Sequence, residues 1–247
     1  MYLTVIFLLT LIIPFLVMPK HIKLGILPPY RVVLLSIIGI GVMAAVIMMM
    51  ASLGGQGLYA QMHEMVKVVS EAAASNPAIV EALSAGDMSE AEITAMLVQF
   101  YDAGLLRLPV TILFLGAIVS YVAYIILSRI IGRKQEVKRM PKFREFTFGH
   151  GTAMAMMIMY VVSWLMMNAE AGIGEMMYAN INMLFDLVFA FQGIAVVMMF
   201  FHFKKIPQAL AVIVSIVMWV TSIGKMFLVL MGIADLILGL RIRMGGK

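Results

Sequence analysis

Cysteine is absent from all 247 residues, which excludes disulfides, iron–sulfur clusters and thiolate zinc sites. Charge is scarce too: 13% of residues are Asp, Glu, Lys or Arg, against about 25% in soluble domains. No His-x-x-x-His spacing or neighbouring ligand set joins His21, His63, His150 or His202, so no metal site is expected. Gly-x-Ser-x-Gly, His-Glu-x-x-His, a Walker loop and a Ser/Lys pair in a spanning helix are all missing. The chain therefore reads as a non-enzyme without a cofactor. A basic n-region and a small-residue cleavage site are also lacking, so Tyr2–Met18 reads as a retained helix rather than a signal peptide.

What fills the chain instead is apolar. Hydrophobic residues make up 63% and the mean hydropathy is +1.04, so water is the wrong solvent for most of it. A pI near 9.5 would suggest nucleic acid in a soluble protein. Here the basic residues flank apolar segments, so the lipid bilayer is the expected partner and nucleic acid is not. The 26 methionines are spread over nearly every apolar stretch. That distribution suits core filler in place of leucine better than a thioether copper site.

Five apolar runs, Tyr2–Met18, Val32–Leu53, Leu108–Ile131, Gly149–Met167 and Ile181–Phe201, are near the ~17–25 residues a spanning helix requires. A sixth, Ile206–Leu240, would measure ~52 Å as one helix, against a hydrocarbon core of ~30 Å. With Gly224-Lys225 near its middle, it reads as two short helices joined by a turn around Ser222–Lys225. The fold expected is all-α, a polytopic membrane bundle of about seven transmembrane helices. Of the 18 Lys and Arg residues, 15 fall at 20–31, 129–144, 204–205 and 241–247. Seven spans put all four groups on one face, which the positive-inside rule makes cytoplasmic. A bacterial cytoplasmic-membrane protein is expected, its N-terminus outside and its C-terminus inside. Six spans would strand Arg241 and Arg243 outside. With seven spans Trp164 and Trp219 both lie toward the outer interface, while Lys225 snorkels to it.

Three regions follow. Residues 1–53 hold two N-terminal membrane helices. Residues 54–106 form an external acidic cap with seven acidic residues, Asp87 among them, and a single base, Lys67. Residues 107–247 form a five-helix membrane region with a basic cytoplasmic loop at 132–148. In the cap, helical patterning runs from Leu58 to about Ala74, Asn76-Pro77 ends it, and Ser89-x-x-Glu92 is a capping box. Both cap helices are amphipathic. The cap's net charge does not favour anionic headgroups, so packing on protein is expected.

The fifth run carries the polar residues. At 100° per residue, Asn182, Asp186, Phe189, Gln192 and Gly193 fall within about 120° of arc. An ionised carboxylate at that depth costs at least ~2.5–3.5 kcal/mol. Such a stripe either joins helices by hydrogen bonds or lines a small-molecule or ion site; a proton relay is a third reading. Asp235 is the second intramembrane acid, between one and two turns from Arg241, and an interfacial ion pair with Arg241 or with a basic loop is expected.

Several short motifs are shared with a known family. Pro141-x-Phe143-Arg-Glu-Phe146 precedes the fourth run, Phe189-Ala-Phe191-Gln192-Gly193-Ile-Ala lies in the fifth, and Gly232-x-x-Asp235 precedes Arg241-x-Arg243. Their order and spacing, with the acidic helical insert, resemble the YybS-like family of bacterial multi-pass membrane proteins, which carry a domain of unknown function. That family is distantly similar to S subunits of energy-coupling-factor vitamin transporters. The resemblance implies a helical membrane fold and small-solute binding or transport, with no particular ligand. Family members are usually longer at the N-terminus, so the chain is expected to be a short variant or to begin internally, which favours homo-oligomerisation. The alternative function is a membrane scaffold or regulatory subunit that docks protein partners through the cap and the basic loop.

Overall fold

A computed structural model describes residues 2–53, 58–82, 88–133, 136–169 and 174–244. The expected start of the cap at 54–57, and Asp87, Lys134 and Lys247, lie outside these. Every regular element among the described residues is helical. The chain divides into two compact units, Met1–Arg139 and Met140–Lys247.

The first unit holds α1 (Tyr2–Leu24), α2 (Pro29–Leu53), α3 (Leu58–Ala74), α4 (Pro77–Ala82), α5 (Glu90–Leu106) and α6 (Leu108–Ile131). Its core is aliphatic, with Ile6, Ile13, Ile40, Ala44, Ile47 and Ile112 buried together. Small residues bring the spans close: Ser120 donates a 3.0 Å hydrogen bond to buried Ser36 across α2 and α6, and Gly116 packs on Ile40. Such contacts replace the hydrophobic drive that lipid removes. Pro14 and Pro19 lie inside α1, tolerable where neighbouring groups take up the freed carbonyls. The insert packs through Ala74, Ile93 and Leu97. Ser89 and Glu92 form the reciprocal capping box at the start of α5, and His63 Nδ1 lies 2.7 Å from Asp102 Oδ1.

The second unit holds a single 3-10 turn at Phe143–Glu145, then α7 (His150–Asn168), α8 (Gly174–Phe203), α9 (Gln208–Val220), α10 (Ser222–Leu238) and α11 (Leu240–Arg243). At 30 residues, ~45 Å, α8 is the spine. Its neighbours can be read against it as a ruler. α7 runs antiparallel: Gly174 abuts the Met166 carbonyl, Tyr160 and Tyr178 hydroxyls are 3.3 Å apart, and the Phe148 N–H donates to Gln192. α10 runs parallel to α8, because Asp186 meets Lys225 and Gln192 meets Asp235 in the same order. Close approach comes from Gly193 seated on the Leu228 backbone and Gly232 on the Phe189 carbonyl, where a Cβ on either would overlap main chain.

The sixth apolar run is broken, at Thr221, and α9 and α10 bend by 112°. Both ends of this pair lie toward the Phe203 end of α8: Gln208 bonds the Met198 carbonyl, and Leu238 and Gly239 line one recess with Met199. The tip, three residues before Lys225, reaches about the level of Met183, ~13 Å short of Gly174 where α7 ends.

By length and composition, five helices can each cross a membrane, or up to six with the bent pair as one span. The expected count of seven required α9 to cross alone, and its 13 residues reach only ~20 Å. Trp219, half-buried, stacks on Phe191 at 5.6 Å.

Candidate functional site

The stripe on α8 faces α10. Phe189 and Gln192 are fully buried and Gly193 is the crossing point. Asp186 accepts a 2.7 Å hydrogen bond from Lys225 Nζ, with the two side chains 31% and 36% exposed. Lys225 therefore turns inward to α8 instead of snorkelling away. The bend at Thr221 puts it in the first turn of α10 beside Asp186. Asn182, one turn earlier, is half-buried, and no hydrogen bond joins it to either partner.

Two turns along, Gln192 enters a second polar cluster. Its Nε2 donates to Asp235 Oδ2 at 2.7 Å and to Thr147 Oγ1 at 3.3 Å, and its Oε1 accepts from the Phe148 N–H at 3.2 Å. Asp235 Oδ2 also accepts from Arg241 Nε at 2.8 Å and lies 2.7 Å from Nη2 in the ion pair, while its Oδ1 accepts the Arg241 backbone N–H at 2.9 Å. Arg241 Nη1 completes the network at the carbonyls of Arg144 and Phe146. A buried charge pair is tolerable only with its remaining donors and acceptors engaged, and here they are. The local cause is Gly239, whose left-handed φ of 62° ends α10 and reverses the chain. Glycine adopts that conformation without the Cβ penalty, and the reversal returns Arg241 to Asp235 six positions earlier.

The two clusters are separated by the close Gly193–Gly232 crossing, so the stripe is not one continuous surface. The polar end opens instead into a recess of about 530 Å³, lined by Arg144, Thr147, Gly149, Asp235, Arg241 and the Leu236–Gly239 turn, among others. Thr147, the Phe148 backbone and Arg144 were not among the residues singled out on α8 and α10. The only sequence signal for them was the Pro141-x-Phe143-Arg-Glu-Phe146 motif that leads into them. Among the described residues, no group of three or more His, Asp or Glu side chains is placed to hold a metal.

Comparison with known proteins gives two matches. The family described as "Predicted membrane protein (DUF2232)" matches residues 1–236. The uncharacterised protein YybS of Bacillus subtilis (strain 168) is 25% identical over 132 residues. That alignment covers 52% of this chain and 41% of the relative, so the chain matches under half of the relative's length. No solved structure matches. Neither match carries the expected likeness to transporter S subunits.

Proposed function

This chain belongs to the DUF2232 family of predicted membrane proteins, and from that premise we propose that it is a non-enzymatic protein that binds a small solute at the basic end of its second unit. What supports this reading is the recess. Its ~530 Å³ falls within the ~300–1,000 Å³ of small-molecule sites, which pair apolar walls with a few fixed polar groups. The Asp235–Arg241 pair supplies the fixed polar groups, and Phe148, Leu236, Ile237 and Leu238 supply the apolar wall. The site is thus the inner part of the polar network, and Asp186 is a helix-to-helix tether outside it.

The bent pair α9–α10 is a re-entrant hairpin in this proposal. It enters the bilayer from the basic face, turns at Thr221 and returns. Two spans, α7 and α8, then suffice for the second unit, and Lys204, Lys205, Arg241 and Arg243 share one face as the positive-inside rule asks. That charge distribution also supports a bacterial cytoplasmic membrane, with the N-terminus outside and the C-terminus inside.

The binding test is a thermal-shift screen of soluble metabolites on the purified chain, run beside Gly149→Trp. Gly149 lines the recess, and a Cβ there meets nothing within 4 Å, so an indole adds bulk at the recess wall without overlapping main chain. A solute at 100 times its Kd stabilises the wild type by about 2.7 kcal/mol, and Gly149→Trp abolishes that response. Hits of equal size in both proteins would sink the assignment.

A second reading, a scaffold that docks a protein partner, is favoured by one observation. Met65, Val68 and Val69 on α3 and Phe100 on α5 are exposed apolar side chains on the insert. If Val68→Asp and Phe100→Asp leave every reproducible partner bound, this reading fails.

A further inference from the structure

The recess is lined by an arginine, Arg144, whose guanidinium the polar network does not use. Arg144 is mostly buried, its side chain 16% exposed, yet its nearest charged partner among the described residues, Glu145 Oε1, is 3.8 Å from Nε. That separation is longer than a hydrogen bond. A guanidinium carries five N–H donors, and burying a charge without acceptors is costly. Arg241, a few ångströms away through the Arg144 carbonyl, is in the opposite state, with donors on Asp235 and two carbonyls. Asp235 is engaged by Gln192 and Arg241, and it forms no hydrogen bond or ion pair with Arg144. Glu145 is half-exposed, its side chain at 49%.

The surroundings narrow the missing acceptor. Lys204, Lys205 and Arg243 are exposed at the same end of α8, so the local field favours an anion. Beside the cationic corner, Ile237, Leu238 and Ile242 line the recess and are exposed. The recess also has a definite depth. α7 begins level with Gln192, and the lining residues Met199, Leu236–Gly239, Arg241 and Ile242 lie beyond that level, toward Phe203. For helices that cross a bilayer this is the headgroup zone of the basic face, where basic pockets between helices hold anionic heads.

We propose that the recess binds an anionic amphiphile, its oxyanion head on Arg144 and its apolar part along Ile237, Leu238 and Ile242. This rests on the recess reading of the previous section and names the ligand class for it. A bidentate guanidinium–phosphate geometry suits Arg144 better than a lysine would. The head belongs to a bilayer phospholipid or to a soluble phosphate.

The full chain is reconstituted in phosphatidylcholine nanodiscs, in nanodiscs that also contain phosphatidylglycerol, and in phosphatidylcholine nanodiscs with inorganic phosphate. Thermal unfolding is followed for the wild type, Arg144→Gln, Arg144→Lys and Gly149→Trp. Arg144→Gln leaves the backbone carbonyl that holds Arg241 in place, so it keeps the fold. Phosphatidylglycerol raises the wild-type Tm by about 2–4 °C, phosphate alone raises it less, Arg144→Lys keeps part of the shift, and Arg144→Gln and Gly149→Trp lose it. An Arg144-dependent response to phosphate as large as that to phosphatidylglycerol overturns the amphiphile in favour of a free oxyanion. Equal shifts in the wild type and Arg144→Gln, or none in either, overturn the site. Solute hits that Gly149→Trp abolishes, with no phosphatidylglycerol response in the wild type, leave the recess reading standing and remove this one alone.

Discussion

Lys225 and Asp186, 39 positions apart in the chain, meet at 2.7 Å where α10 begins alongside α8. The pair lies about twelve residues, ~18 Å, from the start of α8. The carboxylate that seemed costly in sequence is therefore answered by the only lysine of the sixth apolar run.

Removing one member of that pair leaves the other charge unanswered in an apolar layer. Lys225→Met alone and Asp186→Leu alone each lower stability by about 2.5–3.5 kcal/mol on the insertion scale. The double variant recovers most of the loss. A double-mutant cycle on thermal unfolding in detergent measures the coupling, and additive losses would show that the pair does not act as a unit.

Arg241→Met should cost more, about 3–5 kcal/mol, because it leaves the buried Asp235 carboxylate without its cation and frees the carbonyls of Arg144 and Phe146. Asp235→Asn combined with Arg241→Met returns part of it. Chemical unfolding of the three variants decides this, and a double variant as unstable as Arg241→Met alone would argue against an isolated charge as the cause.

Gly232→Ala places a methyl on the Phe189 carbonyl. Backbone cannot yield as a side chain can, so a loss of at least about 1–3 kcal/mol is expected. Gly104→Ala, with nothing within 4 Å of its Cβ, should be neutral or stabilising by about 0.5–1 kcal/mol. Comparison of the two melting temperatures tests the helix crossing directly.

Because the chain has no cysteine, single-cysteine labelling has no background. Cysteines at Lys204 and Arg243 should react with impermeant maleimide from one face only, and that face should be the same for both. A cysteine at Ser222 should resist impermeant reagent from the opposite face. Labelling of Ser222→Cys from that face would show α9 and α10 to be two separate crossings.

At the insert, the Ser89 hydroxyl and then the Ser89 backbone N–H hold the Glu92 carboxyl below its usual range. A depressed value in the folded state means the capping box contributes fully above the ordinary glutamate value. The contribution fades as pH falls through the folded value. Amide exchange at the first turn of α5, corrected for intrinsic rates, should quicken relative to the rest of α5 over that acid range. Glu92→Gln should flatten the dependence.

Much of the helical content was legible because bilayer crossing imposes length and apolarity on a contiguous stretch. Leu108–Ile131 matched to the residue, α3 matched Leu58–Ala74, and the capping box at Ser89 and Glu92 formed as its spacing indicated. α8 extended beyond its apolar run because Glu175, Tyr178 and Asn180 reduce the hydropathy of its first turns without breaking the helix. The break in the sixth run was visible as well, although its geometry was not. Hydropathy records how much apolar chain is present, not whether the chain crosses or turns back.

Taken alone, the sequence determined the class of molecule, its apolar segments, the basic flanks and the residues too polar to face lipid. Each of these follows from transfer free energies, which are local. The tertiary structure decided which polar groups meet. It joined Asp186 to Lys225, drew Gln192, Asp235 and Arg241 into one network, and left the Arg144 guanidinium outside that network at the edge of a recess. Those outcomes depend on the parallel run of α8 and α10, on two glycines that let them touch and on one left-handed turn at Gly239. Pairing at that range is a property of the packed helices, and no window of sequence contains it.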